Sequence, residues 1–148
     1  MTLRKLRLTA KFLLNRNMKS EDLRIGNKAL LNDSIVRIDG ISYDRKAKAC
    51  LVDCFNEVTS LCSFVSIDKL SGIPLTEEIL VKAGFEFDIF YQKHTNGTLC
   101  IYWVNKVCLV SWCKSHREDV LRHEYPEYVH DLQNLYYALT KQELQIDL

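Results

Sequence analysis

Residues 29–38 read Ala-Leu-Leu-Asn-Asp-Ser-Ile-Val-Arg-Ile, which places a polar Asn32-Asp33 pair between two short apolar runs. Asparagine and aspartate tolerate the backbone conformations that tight hairpin turns require. Two apolar runs on either side of such a pair are typical of paired strands. The stretch therefore predicts an antiparallel hairpin that turns at Asn32-Asp33 and ends at Gly40.

Further strands are predicted on the C-terminal side of this hairpin. They are rich in β-branched, aromatic and cysteine residues, or alternate between apolar and acidic residues, as half-buried strands do. The predicted strands are residues 49–55, 58–65, 85–90, 99–104 and 107–112. Turns are predicted at Asn56-Glu57, Thr95-Asn96-Gly97 and Asn105-Lys106, and exposed loops at residues 44–48 and 114–119.

A short central helix is predicted after Pro74. Thr76 is a suitable N-cap, and the acidic residues Glu77 and Glu78 complement the helix dipole in the first turn. Gly84 supplies a left-handed stop. The residues expected to pack inward are Ile79, Leu80 and Ala83.

A longer amphipathic helix is predicted near the C-terminus, beginning around Pro126, because proline is well tolerated in a first helical turn. At 100° per residue one face is apolar and should pack on the sheet; it carries Leu132, Leu135, Tyr136 and Leu139. The opposite face is polar but uncharged and carries His130, Gln133, Asn134 and Tyr137. These side chains are rich in directional donors and acceptors, so they are the candidate site for a ligand or partner. The alternatives are a buried hydrogen-bond network that ties the helix to loops, or a face that is simply solvated.

These elements predict an α+β fold, mostly antiparallel and rich in strands, with one short central helix and one C-terminal amphipathic helix. The length of 148 residues suits one domain, which we place at residues 18–148. Residues 1–17 are a basic N-terminal extension with a charge of +5 and no acid, which leaves a net charge of −4 for residues 18–148. The extension is either an accessory segment or a basic arm that binds nucleic acid or an anionic membrane surface; a nucleic-acid arm would use Arg4, Lys5, Arg7 and Lys11.

Six cysteines lie in apolar or alternating stretches, where free cysteine behaves as a small buried hydrophobe. We predict reduced, mostly packing cysteines in a cytoplasmic protein with no membrane span. Zinc is disfavoured because Cys108 and Cys113 would point to opposite faces of a strand, although His116 and His123 lie nearby. No cofactor or metal is predicted.

Catalytic signatures are weak. With 5 glycines the chain has no phosphate-binding loop motif, and the carboxylates Asp53, Glu57, Glu86 and Asp88 cannot be paired from the sequence alone. The aromatic strands lack interleaved lysine and arginine, which makes nucleic-acid binding by residues 18–148 the weaker interpretation. Because the catalytic signatures are weak, we predict that the protein is not an enzyme.

Three segments, in this order, resemble an uncharacterised family of small proteins found in phages and mobile elements of Bacteroidetes-type gut bacteria. They are residues 23–27, residues 73–78 with Gly84-Phe85, and residues 128–140. The resemblance spans residues 18–148, and its last segment is the most specific. Lys141 stands where the family usually has glycine, and residues 1–17 lie outside the pattern. The resemblance implies no activity, only a setting: a phage or mobile-element protein in the cytoplasm of a bacterial host.

The leading hypothesis is a non-enzymatic binding protein that sequesters a small ligand or blocks a host protein, with antagonism of bacterial defence as its role. The second is a nucleic-acid accessory protein that uses the basic N-terminal arm. The third is a small hydrolase or metal enzyme. A homo-oligomer is compatible with the first hypothesis.

Overall fold

The computed structural model describes residues 18–104, 107–112 and 126–148, with backbone only for 103, 104, 107–109 and 112. It contains two antiparallel sheets and two α-helices, which confirms the predicted α+β class. The chain divides into two compact units, Met1–Pro74 and Leu75–Leu148, called here the first and the second unit. A single domain over residues 18–148 stays a prediction, and the basic extension lies outside the described residues.

The first unit contains a five-stranded antiparallel sheet in the order β4-β3-β2-β1-β5. Its strands are β1 (Lys28–Leu31), β2 (Ser34–Asp44), β3 (Ala49–Asn56), β4 (Leu61–Ser66) and β5 (Leu70–Ser71). The predicted hairpin is confirmed: Leu31 pairs with Ser34, and Asn32 and Asp33 have φ angles of 49° and 63°. Two consecutive positive φ angles give the turn a twist that matches the strands it joins.

The prediction that the hairpin ends at Gly40 is wrong. Strand β2 continues to Asp44, and its register against β3 shifts between Ile38 and Gly40. A glycine inside a strand often marks such a β-bulge rather than an end. The loop predicted after it is a turn that begins after Asp44, whose carboxylate accepts hydrogen bonds from the N–H groups of Lys46 and Ala47.

The turn between β3 and β4 lies later than predicted. Asn56 is the last residue of β3, and its side-chain oxygen accepts hydrogen bonds from the N–H groups of Val58 and Thr59, each at 3.0 Å. Ser60 has a φ angle of 55°, so the chain re-enters the sheet only at Leu61. The asparagine side chain thus stabilises a longer turn than the dipeptide alone suggested.

The core of the first unit lies on one face of this sheet. Alternate residues of β2 and β3 point into it, as the period of two for a strand requires. The buried apolar side chains are Met18, Leu23, Ala29, Leu31, Val36, Ile38, Val52, Cys54, Ile67 and Leu70. The opposite face of β2, β3 and β4, which we call the outer face, therefore carries Arg37, Asp53 and Phe64.

The second unit contains a four-stranded antiparallel sheet in the order β6-β7-β8-β9 and two helices. The elements are α1 (Glu77–Lys82), β6 (Glu86–Asp88), β7 (Lys93–Thr95), β8 (Leu99–Val104), β9 (Val107–Trp112) and α2 (Val129–Thr140). The strands predicted at 99–104 and 107–112 are confirmed. The turn predicted at Asn105-Lys106 and the loop at 114–119 lie outside the described residues.

Helix α1 agrees with its prediction. The Thr76 hydroxyl accepts a hydrogen bond from the Ile79 N–H, and Gly84 has a φ angle of 81°. Ile79, Leu80 and Ala83 are buried. Glycine is favoured at the stop because a side chain makes this backbone conformation less favourable.

The strand predicted at 85–90 is shorter in the structure, because β6 ends at Asp88. The Asp88 carboxylate accepts hydrogen bonds from the N–H groups of Phe90 and Tyr91 and so stabilises a turn. The short strand β7 follows and was not predicted. The turn predicted at Thr95-Asn96-Gly97 is confirmed by a φ angle of 78° at Gly97.

The C-terminal helix begins at Val129 rather than around Pro126. The Asp131 carboxylate accepts a hydrogen bond from the Tyr128 N–H at 3.0 Å, and Tyr128 itself is extended. The Glu127 carbonyl accepts a hydrogen bond from the Leu75 N–H, which keeps this residue outside the helix. On the predicted apolar face, Leu132 and Leu135 are buried. No helix among the described residues is long and apolar enough to cross a membrane.

Candidate binding surface

The predicted polar face of helix α2 is largely closed to solvent. His130 and Gln133 are 4% and 3% exposed, and Asn134 and Tyr137 are half-buried. The Tyr128 ring stacks on the His130 ring at 5.5 Å, and the Asp131 carboxylate lies 3.3 Å from His130 Nε2. The helix places the four side chains on one face, and two of them are closed to solvent in this structure. The assignment of this face as a binding site stays a prediction.

Several other predicted residues lie where the structure gives no side chain. The arm residues Arg4, Lys5, Arg7 and Lys11, and the metal candidates Cys108, Cys113, His116 and His123, lie outside the described side chains. Within the described ranges, no three histidine, cysteine, aspartate or glutamate side chains are arranged to hold a metal ion. The nucleic-acid arm therefore stays a prediction.

The prediction of reduced cysteines is wrong for Cys100. This residue lies on β8, is buried, and forms a disulfide bond whose second sulfur lies outside the described side chains. A strand pattern reports only burial, so it cannot distinguish a packed thiol from a bonded sulfur. Cys50, Cys54 and Cys62 are free, and of these only Cys54 is fully buried.

The Cys54 thiol is unsuited to act as a nucleophile. Burial, with smaller contributions from the nearby carboxylates of Asp53 and Asp39, raises its pKa to about 11. A thiol with such a pKa stays protonated at neutral pH, and only the thiolate is reactive. Cys54 therefore contributes packing rather than chemistry.

A network of charged side chains covers part of the outer face of the first unit. Glu57 accepts hydrogen bonds from Lys28 Nζ at 3.0 Å and from Arg37 at 3.3 Å. Arg37 also holds the Asp39 carboxylate at 2.7 Å and 3.1 Å, and its guanidinium lies 5.1 Å from the centre of the Phe55 ring. Two cations and two anions are thereby fixed side by side in a balanced network.

These contacts shift the pKa values of the network. The hydrogen bond from Arg37 lowers the pKa of Asp39, and the hydrogen bond from Lys28 lowers the pKa of Glu57. The hydrogen bond to Asp39 raises the pKa of Arg37 in turn. Both carboxylates are therefore ionised at neutral pH. Because the network is exposed to solvent, its contribution to stability is modest.

A groove of about 270 Å³ lies beside this network, between β2 and the edge strand β4. It is lined by Asp39, Asp53, Cys54, Cys62, Ser63 and Phe64. Gly40 forms part of the adjoining strand, and a Cβ atom placed there would lie only 2.6 Å from the Asp53 carboxylate. The β-bulge and the missing side chain at Gly40 thus make room for the Asp53 carboxylate in this groove.

Strand β4 is an edge of the five-stranded sheet, and it lacks the residues that usually block pairing with a further strand. Its six residues, Leu61-Cys62-Ser63-Phe64-Val65-Ser66, include no charge and no proline. The side chains of Leu61 and Phe64 are 63% and 59% exposed. Among the described strands only β3 pairs with it. An edge strand of this kind offers a row of backbone donors and acceptors to another extended segment.

The sequence interpretation did not find this surface. Asp53 and Glu57 are carboxylates that the sequence alone cannot pair, and Phe64 belongs to a strand predicted to be half-buried. The signal that could have indicated the site is Asp39-Gly40 inside an apolar strand pattern, since an isolated strand glycine suggests a bulge. The position of β4 at an edge depends on strand order, which hairpin signals do not determine.

Comparisons with known proteins give no match: no protein-family model, no curated protein and no solved structure resembles the chain significantly.

Proposed function

We propose that this chain is a non-enzymatic binding protein that adds an extended segment of a partner protein to the free edge of β4. The observation that carries the proposal is the open, uncharged edge strand Leu61–Ser66. Strand addition of this kind is a common mode of peptide recognition, in which main-chain hydrogen bonds supply affinity and side-chain pockets supply specificity.

The backbone of β4 supports this proposal. In an antiparallel pair, successive residues direct their N–H and C=O groups alternately towards the partner strand and away from it. Every second residue of β4 therefore presents both groups away from β3. Proteins usually prevent such an edge from pairing with another chain by means of lysine, proline, a bulge or a very short strand. Strand β4 has six residues, and neither lysine nor proline is among them.

The exposed side chains of β4 add an apolar component. Phe64 lies on the outer face, opposite Asp53, while Leu61 lies at the start of the strand, opposite Asn56. Cross-strand neighbours on one face of a sheet lie within contact distance of each other. An added strand would therefore cover the Phe64 ring.

The resemblance to phage and mobile-element proteins supports a host protein as the partner, and blocking a defence protein as the biological role. Sequestering a small ligand, which the buried polar face of α2 first suggested, has less support because His130 and Gln133 are closed to solvent. Location in the bacterial cytoplasm belongs to the same proposal.

Selection from a displayed library of short random peptides tests the proposal. The variant Phe64→Lys places a charge on the edge strand, and Val58→Lys is its matched control because Val58 is 91% exposed in the adjacent turn. We expect peptides selected on the wild-type protein to lose about tenfold or more in affinity for Phe64→Lys, which is about 1.4 kcal/mol, and to bind Val58→Lys normally.

Two results would contradict the proposal. One is a library that yields no peptide whose binding depends on β4. The other is equal binding of the selected peptides to Phe64→Lys and Val58→Lys, with both variants folded as judged by circular dichroism.

A further inference from the structure

We propose that the groove beside β4 receives an arginine side chain of the added segment, with Asp53 as its carboxylate partner and Phe64 as its stacking surface. This inference rests on the proposed strand addition and names the chemistry of the partner: an extended peptide with an arginine on the outer face. It goes beyond main-chain pairing because it assigns the specificity of the surface to two residues.

The charge of the outer face supports a cationic occupant. Lys28, Arg37, Asp39 and Glu57 neutralise one another through the contacts described above. Asp53 is exposed and has no hydrogen-bond or ion-pair partner among the residues that the structure describes. The surface therefore retains one negative charge in the groove, and a cation brought there would gain an ionic partner.

The register places an aromatic ring next to this carboxylate. Asp53 and Phe64 are directly opposite each other on β3 and β4, so their side chains share the outer face. A guanidinium can stack on an aromatic ring while it donates two parallel hydrogen bonds to a carboxylate. The exposed Phe64 ring and the Asp53 carboxylate supply both halves of such a site.

The distance between the added strand and β3 requires a long side chain on the added strand. Neighbouring strands lie about 4.8 Å apart, so a strand added beyond β4 has its backbone about 10 Å from that of β3. A short side chain on the added strand would stop above Phe64. An arginine can extend across the ring towards Asp53, whose carboxylate lies in the groove on the Gly40 side and has to turn towards β4 to meet the guanidinium.

The groove can be probed without any peptide. N-acetylarginine amide is titrated into the isotopically labelled full-length protein, with N-acetylcitrulline amide as the uncharged isostere. We expect saturable shifts of the Gly40, Asp53 and Phe64 amide resonances with arginine, several-fold weaker shifts with citrulline, and loss of the difference in Asp53→Asn. The matched control is Asp33→Asn, which removes an exposed carboxylate from the β1–β2 turn, where asparagine tolerates the φ angle of 63°.

The inference is overturned if arginine and citrulline amides give the same shifts, or if Asp53→Asn and Asp33→Asn behave alike. Peptides selected on the wild-type protein supply a second experiment. Replacing their arginine with citrulline should weaken binding about fivefold or more to the wild type and much less to Asp53→Asn.

The two experiments, titration with arginine amide and binding of the selected peptides, distinguish this inference from the proposed function. If peptides pair with β4 but show no arginine dependence, strand addition stands and the groove assignment fails. If arginine amide binds the groove but no peptide depends on β4, the groove assignment stands and strand addition fails.

Discussion

At the scale of single residues, Gly40 and Asp53 pack closely against each other on the outer face. Because a Cβ at position 40 would lie 2.6 Å from the Asp53 carboxylate and 3.3 Å from its Cβ, Gly40→Ala must displace the Asp53 side chain. We expect this substitution to lower the free energy of unfolding by at most about 1 kcal/mol, because the nearest atom is the end of an exposed side chain and the contact with the Asp53 Cβ is the harder one to relieve. Urea unfolding of the purified variant measures the change.

A double-mutant cycle identifies the cause of that loss. In an Asp53→Ala background the carboxylate is gone, so Gly40→Ala should lower the unfolding free energy by clearly less, with a coupling of about 0.5 kcal/mol or more. Purely additive effects would show that the space occupied by the Asp53 carboxylate is not the cause of the loss.

At the scale of elements, the end of helix α2 carries a strained residue. Lys141 adopts a left-handed conformation with a φ angle of 59°, and its N–H donates to the Tyr137 carbonyl at 2.8 Å. A side chain makes this conformation unfavourable by about 1–2 kcal/mol. We expect Lys141→Gly to raise the free energy of unfolding by about 1 kcal/mol relative to Lys141→Ala, which keeps the strain.

The alanine variant is the appropriate reference because both substitutions remove the contact of the Lys141 ammonium with the Tyr137 ring. Thermal or urea unfolding of the two variants gives the comparison. Equal stability would mean that the helix ends differently in solution. The family resemblance places Lys141 where a glycine is usual and implied a different helix end, whereas the lysine adopts the left-handed conformation typical of such a stop.

The elements predicted best are those whose ends are set by short-range chemistry. The turn at Asn32-Asp33 and the helix between Thr76 and Gly84 follow from side chains that act within a few residues. Errors arose where a side chain redirected the backbone locally. Asp88 stops β6 before the apolar pattern ends, and Asp131 holds Tyr128 outside the helix that Pro126 had suggested.

At the scale of the whole molecule, the charged network makes stability depend on pH. The pKa values of Asp39 and Glu57 are lowered in the folded state by hydrogen bonds from Arg37 and Lys28. Groups with depressed pKa values stabilise the fold above their unfolded pKa, and this stabilisation is lost as the pH falls through the folded value. The loss should therefore begin below about pH 4.5, the ordinary pKa of Glu57.

Replacing Arg37 tests this dependence. We expect Arg37→Gln to be less stable than the wild type at neutral pH, with a difference that shrinks as the pH is lowered below about 4.5. Urea midpoints measured across this range give the result, with Arg45→Gln, at an exposed turn position, as the control. A difference that is independent of pH would exclude the ion pairs as its source.

The candidate surface could not be predicted at this scale because it depends on long-range order. The interpretation from sequence placed function on the uncharged side chains of helix α2, since periodicity shows which residues share a face. Periodicity does not show whether a second layer covers that face, and His130 and Gln133 are covered. The edge position of β4 follows from strand order, which no local signal encodes.

The central claim is that β4 is an open edge that accepts another strand. Amide hydrogen exchange, resolved by residue, tests it most directly on the full-length protein with and without a peptide selected on it. We predict that every second amide between Leu61 and Ser66 exchanges rapidly in the free protein, becomes protected when the peptide is bound, and stays unprotected in Phe64→Lys. Protection elsewhere in the chain with no change in β4, or slow exchange of all β4 amides in the free protein, would contradict the claim.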